Sequence, residues 1–205
     1  LPYKINKSAT NEAAGLARMV ALLKGQRNEN TLTLFAGDML LGTEFSTVFK
    51  GDVEFRIFED LVDYMAIGNH EFDYGLEALE KLRDGDRILM LNANVRYKKN
   101  GKLFADKAWA IKKINGIKVG IFGLLGENTP FDTNPKNVEK LDFASEAASA
   151  RKAIAEMKKE GAQVIVALTH IGIDRDRMLA DAVPEIDLIV GAHSHTKIEA
   201  GIRIG

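Results

Sequence analysis

Only four histidines occur in the 205 residues: His70, His170, His193 and His195. Each stands a few residues past an apolar run that reads as a strand, over 64–67, 164–168 or 188–190. Asp38 and Asn69 hold the same kind of place, after the runs 31–36 and 64–67. In α/β sheets the loops at the carboxyl ends of parallel strands share one rim, and ligands bind there. Neighbouring strands would therefore gather imidazoles, a carboxylate and an amide oxygen at one place. That donor set suits borderline divalent metals such as Zn, Mn, Fe or Co. Taken singly the residues say less. Gly37-Asp38 is also a common turn or helix cap, and Gly68-Asn69-His70 reads equally as a turn with a surface histidine. Thr169-His170 alone is close to uninformative. His193 and His195, two apart, can reach one centre or decorate an exposed polar loop. Together they favour a metal centre, because no histidine is spent elsewhere.

The elements that must position these groups alternate. Helical apolar spacing covers 12–24 (Ala13, Leu16, Val20, Leu23), then 54–61, 75–82, 144–159 and 175–182. Strands are expected at 31–36, 64–67, 87–91, 164–168 and 188–190, with a last β segment at 197–204. Residues 1–10 read as loop and 39–53 as irregular, punctuated by Gly42 and Gly51. Between 108 and 122 the texture changes: two β-rich segments flank Asn115-Gly116, the strongest short hairpin signal. Alternating units with one antiparallel pair predict an α/β fold with a mixed sheet. No composition break marks a second domain.

Composition excludes several classes. Lys plus Arg number 28 against 29 Asp plus Glu, a net charge of −1, so no basic field points to nucleic acid or an anionic membrane. There is no cysteine, which removes disulfides, thiolate metal sites, iron–sulfur clusters and a cysteine nucleophile. No apolar run approaches the roughly 18–20 residues of a membrane span. The nucleotide fingerprint Gly-x-Gly-x-x-Gly, the P-loop Gly-Lys-Ser/Thr and the Gly-x-Ser-x-Gly elbow are all absent, and Ser194 reads as a spacer between histidines.

The ordered set Gly37-Asp38, Gly68-Asn69-His70-Glu71-Phe72-Asp73-Tyr74-Gly75, Thr169-His170 and Gly191-Ala192-His193-Ser194-His195 resembles the motifs of the calcineurin-like metallophosphoesterases, in their 5′-nucleotidase branch. Asn92-Ala93-Asn94-Val95 and Glu127-Asn128-Thr129-Pro130 resemble the same branch, and the likeness covers nearly the whole chain. It implies a layered α-β-β-α sandwich with mixed sheets. It also implies hydrolysis of phosphoric esters with two divalent metal ions (Zn, Mn or Fe), in which a water activated by the metals attacks phosphorus. By resemblance, Asp38 bridges the two ions, Asn69, His170 and His193 complete one site, and His195 serves the other. His70 resembles the histidine that contacts phosphate and protonates the leaving oxygen, with Asp73 as its dyad partner. Elementary chemistry agrees: a leaving alkoxide needs a proton near neutral pH, and a histidine that is not a ligand supplies it. The implied substrate is a phosphorylated small molecule, a nucleotide being one such class, and the branch is often periplasmic or extracellular.

The sequence departs from that pattern at both ends. The family's opening Asp-x-His motif is not found, and the chain, beginning Leu1-Pro2-Tyr3, reads as starting just after it. The branch's second, base-holding domain has no counterpart before Gly205. Residues 1–205 are thus expected to be one catalytic domain shortened at both ends. The competing expectation is a metal-binding but catalytically silent module with one metal site incomplete.

Overall fold

The computed structural model describes residues 3–4, 12–13, 15–40, 44–85 and 87–204. The loop expected at 1–10, apart from Tyr3–Lys4, and the break at Gly42 lie outside these residues. In chain order the elements are β1 (Tyr3–Lys4), β2 (Glu12–Ala13), α1 (Leu16–Gln26), β3 (Leu34–Phe35), α2 (Glu44–Phe49), α3 (Asp52–Phe58), β4 (Tyr64–Ala66) and α4 (Leu76–Asp84). There follow β5 (Met90–Leu91), β6 (Val95–Tyr97), β7 (Trp109–Ile114), β8 (Ile117–Leu125), α5 (Thr129–Asp132) and α6 (Pro135–Val138). The rest are β9 (Leu141–Phe143), α7 (Glu146–Lys159), β10 (Val164–His170), α8 (Ile173–Ala182) and β11 (Leu188–Gly191).

Two sheets form the centre. One runs β3-β4-β5, all parallel; the other runs β11-β10-β8-β7, parallel except for the antiparallel β7–β8 pair. Asn115 and Gly116 both have positive φ, +49° and +85°, which a two-residue turn with right-handed strand twist requires. Along β8 and β10 the side chains alternate. Ile121, Val166 and Leu168 meet Ala66 and Leu91 of the facing sheet, whereas Phe122, Leu124, Ile165 and Ala167 meet Ala150, Ala153, Ile154 and Met157 of α7. On the far side Phe55, Phe58, Leu79 and Leu82 of α3 and α4 cover Met65 and Met90. The order is helix, sheet, sheet, helix, the layered α-β-β-α sandwich, with one central sheet parallel and the other mixed. At Gly123 the sheets approach so closely that a Cβ would stand 1.9 Å from the Leu91 carbonyl oxygen, so only glycine fits.

The differences from sequence have local causes. The first helix starts at Leu16, not 12, because Glu12–Ala13 pairs with Tyr3–Lys4 and Gly15 takes φ +98°. The irregular stretch 39–53 contains α2, a helix rich in β-branched and aromatic residues that give no helical signal. The helix expected at 54–61 starts at Asp52, after Gly51. The strand expected at 31–36 shortens to β3, since the Thr33 N–H turns to Asp63 Oδ2 at 2.8 Å. No strand forms at 197–204. The β6–β9 pair was not expected: three residues each, joined across a long separation, carry no local signal. Among the described residues no helix is long and apolar enough to cross a membrane.

Candidate metal centre

Asp38 follows β3, Asn69 follows β4, His170 ends β10 and His193 follows β11. The four carboxyl ends therefore lie on one rim, and the ligand atoms of Asp38, His170 and His193 fall within 4.8 Å of one another. Asp38 Oδ2 is 3.1 Å from His170 Nε2. Asn69 Oδ1 is 3.2 Å from His170 Nε2 and 3.0 Å from His193 Nδ1. Donors bound at about 2.1 Å around one ion stand about 3–3.5 Å apart, so the spacing fits a divalent cation.

The protons make the same point. His170 Nδ1 lies 2.7 Å from the Ala36 carbonyl oxygen, which can only accept, so Nδ1 carries the proton. In the neutral ring Nε2 is then a lone pair, facing a carboxylate oxygen and an amide oxygen. Such a group of acceptors needs a cation among them, either a proton on His170 or a metal. Burial disfavours charge on both partners, yet their mutual bond and attraction win: the Asp38 carboxyl is held below its ordinary range and His170 is raised. His193 is lowered by burial and by the charge of His170, which favours the neutral form that a metal ligand needs.

Backbone strain accompanies the site. Asp38 and His193 both sit at positive φ, +61° and +86°, where a side chain costs about 1–3 kcal/mol. Gly37 precedes Asp38 at φ +88°, and a Cβ there would stand 2.6 Å from His170 Nδ1.

His70 and Asp73 lie on one 3-10 turn, with His70 Nδ1 2.7 Å from Asp73 Oδ2. Both are partly exposed at the rim, and the His70 N–H donates to Asp38 Oδ1 at 3.0 Å, which fixes the dyad beside the centre. His195 does not join the cluster of close donors; it is exposed, at φ +52°, near enough for its charge to lower His193.

Three further carboxylates carry the site, and sequence reasoning gave them no role. Glu71 is buried and accepts from the N–H groups of Asp38 (2.8 Å), Met39 (2.6 Å), Leu40 (3.3 Å) and Gly68 (2.5 Å). It ties the Asp38 loop to the Asn69 loop. Burial and the charge of Asp38 push its carboxyl up against the pull of these N–H groups. Asp176 is buried behind the strand ends and accepts from the Thr169 hydroxyl at 2.6 Å; burial foremost raises its pKa to about 6. Asp132 closes the rim from α5. Glu71 stands inside the Gly68–Gly75 motif, between His70 and Phe72; the other two have no sequence signal.

The sequence profile of the calcineurin-like phosphoesterases matches residues 11–197. The chain is 33% identical over 198 residues to a 5′-nucleotidase of Mus musculus, covering 91% of this chain and 33% of that protein. It is 31% identical over 197 residues to a probable 5′-nucleotidase of Treponema pallidum, covering 92% of this chain and 32% of that protein. The crystal structure of a 5′-nucleotidase precursor from Thermus thermophilus superposes with a TM-score of 0.85 at 33% identity, over 95% of this chain and 39% of that one. The chain thus spans about a third of the length of these curated relatives.

Proposed function

We propose that this chain, which belongs to the calcineurin-like phosphoesterase family, hydrolyses phosphoric esters with divalent metal ions, nucleoside phosphates being the substrate class its relatives point to. The observation that carries the reading is the convergence of Asp38, Asn69, His170 and His193 lone pairs beside the His70–Asp73 dyad. Asn69, His170 and His193 would hold one ion with Asp38, and Asp38 and His195 would serve a second. When bound, such ions polarise a phosphoryl oxygen and make water a nucleophile near neutral pH. Zn, Mn and Fe all suit the donors.

The residues around the donors do the rest. Asp73 accepts from His70 Nδ1–H, so the proton that the protonated ring can give up is the one on Nε2. As water adds to phosphorus and the ester P–O bond breaks, the electron pair goes to the departing oxygen, His70 Nε2 delivers a proton to it, and the proton shed by the attacking water passes to solvent. Asp73 fixes the tautomer and stabilises the ring's charge. Ala36 O keeps the His170 proton on Nδ1, so that Nε2 stays available at the centre.

The test is hydrolysis of an aryl phosphate and of a nucleoside monophosphate with Mn²⁺, read together with metal content. His70→Ala is expected to lower kcat by about 10²–10⁴-fold with metal content unchanged. Asp38→Asn is expected to lose both. A metal-loaded wild-type chain without activity, or a His70→Ala variant as fast as wild type, overturns the reading.

A further inference from the structure

The two ligand imidazoles are built alike on the inner side and differently on the outer. His170 directs Nε2 at the donor cluster and gives its Nδ1 proton to a backbone carbonyl, Ala36 O, at 2.7 Å. His193 directs Nδ1 at the cluster, 3.0 Å from Asn69 Oδ1, and its Nε2 faces Asp132 Oδ2 at 3.7 Å. A neutral imidazole carries one proton. Whichever nitrogen is drawn outward by an acceptor leaves the other as a lone pair for metal.

Asp132 reaches a second ligand by another atom. Its backbone carbonyl accepts from Asn69 Nδ2 at 3.2 Å. That bond decides which way the amide points: with Nδ2 tied to Asp132, Oδ1 is the atom turned toward His170 and His193. The segment that carries Asp132 is itself anchored at the site. The Gly126 N–H donates to the His170 carbonyl at 3.3 Å, the buried Thr129 hydroxyl donates to Gly126 O at 2.7 Å, and the Asn128 amide donates to Asp132 Oδ2. One short turn thus touches the backbone of His170, the amide of Asn69 and the ring of His193.

We propose that Asp132 is a positioning residue for the metal centre: its carbonyl sets the amide of Asn69, and its carboxylate, 3.7 Å from His193 Nε2, draws the ring proton outward when Nδ1 turns its lone pair to a metal. This rests on the metal-dependent reading above. The carboxylate also makes the ring a stronger donor, as carboxylate partners of ligating histidines do.

The experiment measures Zn²⁺ affinity by competition with a fluorescent chelator for wild type, Asp132→Ala and Asp132→Asn, with unfolding temperature in chelator as the folding control. The Asp132 side chain is 31% exposed, so both metal-free variants should melt with wild type. Asp132→Ala is expected to weaken Zn²⁺ binding about 10–100-fold. Asp132→Asn should weaken it less, because its amide oxygen still presents a negative dipole end to Nε2–H. Proton–nitrogen NMR of the Zn²⁺-loaded protein should show the His193 Nε2–H signal further downfield in wild type than in Asp132→Ala, with the backbone amide signals of α5 unmoved, a change that loosening of α5 alone would not produce. Unchanged affinity or an unchanged His193 Nε2–H signal in Asp132→Ala overturns the proposal. Asp132-dependent Zn²⁺ binding without hydrolysis keeps it and sinks the phosphoester reading. A chain that hydrolyses with Asp132→Ala affinity unchanged sinks this proposal alone, and a wild-type chain that binds no Zn²⁺ sinks both.

Discussion

Glu71 holds the centre together through backbone N–H groups. Four backbone N–H groups from two separate loops end on its two oxygens, and it lies fully inside the protein. A carboxylate is the only side chain that can accept all four; a glutamine offers one oxygen and turns an NH₂ toward donors. Glu71→Gln therefore leaves buried N–H groups unpaired, each costing about 1–3 kcal/mol. Denaturant unfolding of the metal-free protein should show a loss of about 2–4 kcal/mol, and Zn²⁺ affinity should fall because Asp38 loses its fixed place. Wild-type stability would show that the four bonds contribute nothing net. At this scale the sequence reads well where a side-chain type is rare: the four histidines and Asp38 announce themselves by chemistry and strand-end position. Glu71, Asp132 and Asp176 are three among many acids, and only the folded chain shows which carboxylates meet backbone amides, a ring or a hydroxyl.

Between elements, Asp63 is the junction. It stands just before β4, receives Arg27 from the end of α1 at 2.9 Å and Lys112 from β7 at 2.7 Å, and accepts the Thr33 N–H at 2.8 Å. It joins a helix and both sheets at the end opposite the metal centre. Burial pushes its carboxyl up, but the Lys112 bond, the Thr33 N–H and the charges of Lys112 and Arg27 outweigh that, so it titrates below its ordinary range. A folded value below the unfolded one means that the ionised group stabilises above the unfolded value and that this stability is lost as pH falls through the folded value. Asp63→Asn should cost about 1–3 kcal/mol at neutral pH, and the gap to wild type should close as pH drops below about 4. A gap that stays constant with pH would remove the ionic part of the junction. Elements with local codes were legible: the β7–β8 hairpin from Asn115-Gly116 and α7 from its apolar face above Ser145, whose hydroxyl caps Ala148 N–H. The β6–β9 pair was not, because Val95 and Phe143 lie far apart in the chain and no local signal links them.

Over the molecule as a whole, stability is spread unevenly, and the centre sits on its firm part. β10 is buried from Ile165 to His170, and β8 from Gly120 to Leu125. α1 buries no residue and exposes Leu16, Met19 and Leu22, while α2 exposes Phe45, Val48 and Phe49. Local opening is cheap where few apolar contacts are lost and approaches the cost of global unfolding in the core. Amide exchange in α1 and α2 should therefore run at least about 100-fold faster than in β8 and β10. The four donors come from strand ends and not from α1 or α2. If α1 and α2 open while the centre stays intact, Zn²⁺ should slow exchange in β10 by the amount that ligand binding stabilises the whole fold, and leave α1 and α2 nearly unchanged. Equal slowing everywhere would mean that the peripheral helices open only with the core, and that the centre depends on them as much as on the strands that carry its ligands.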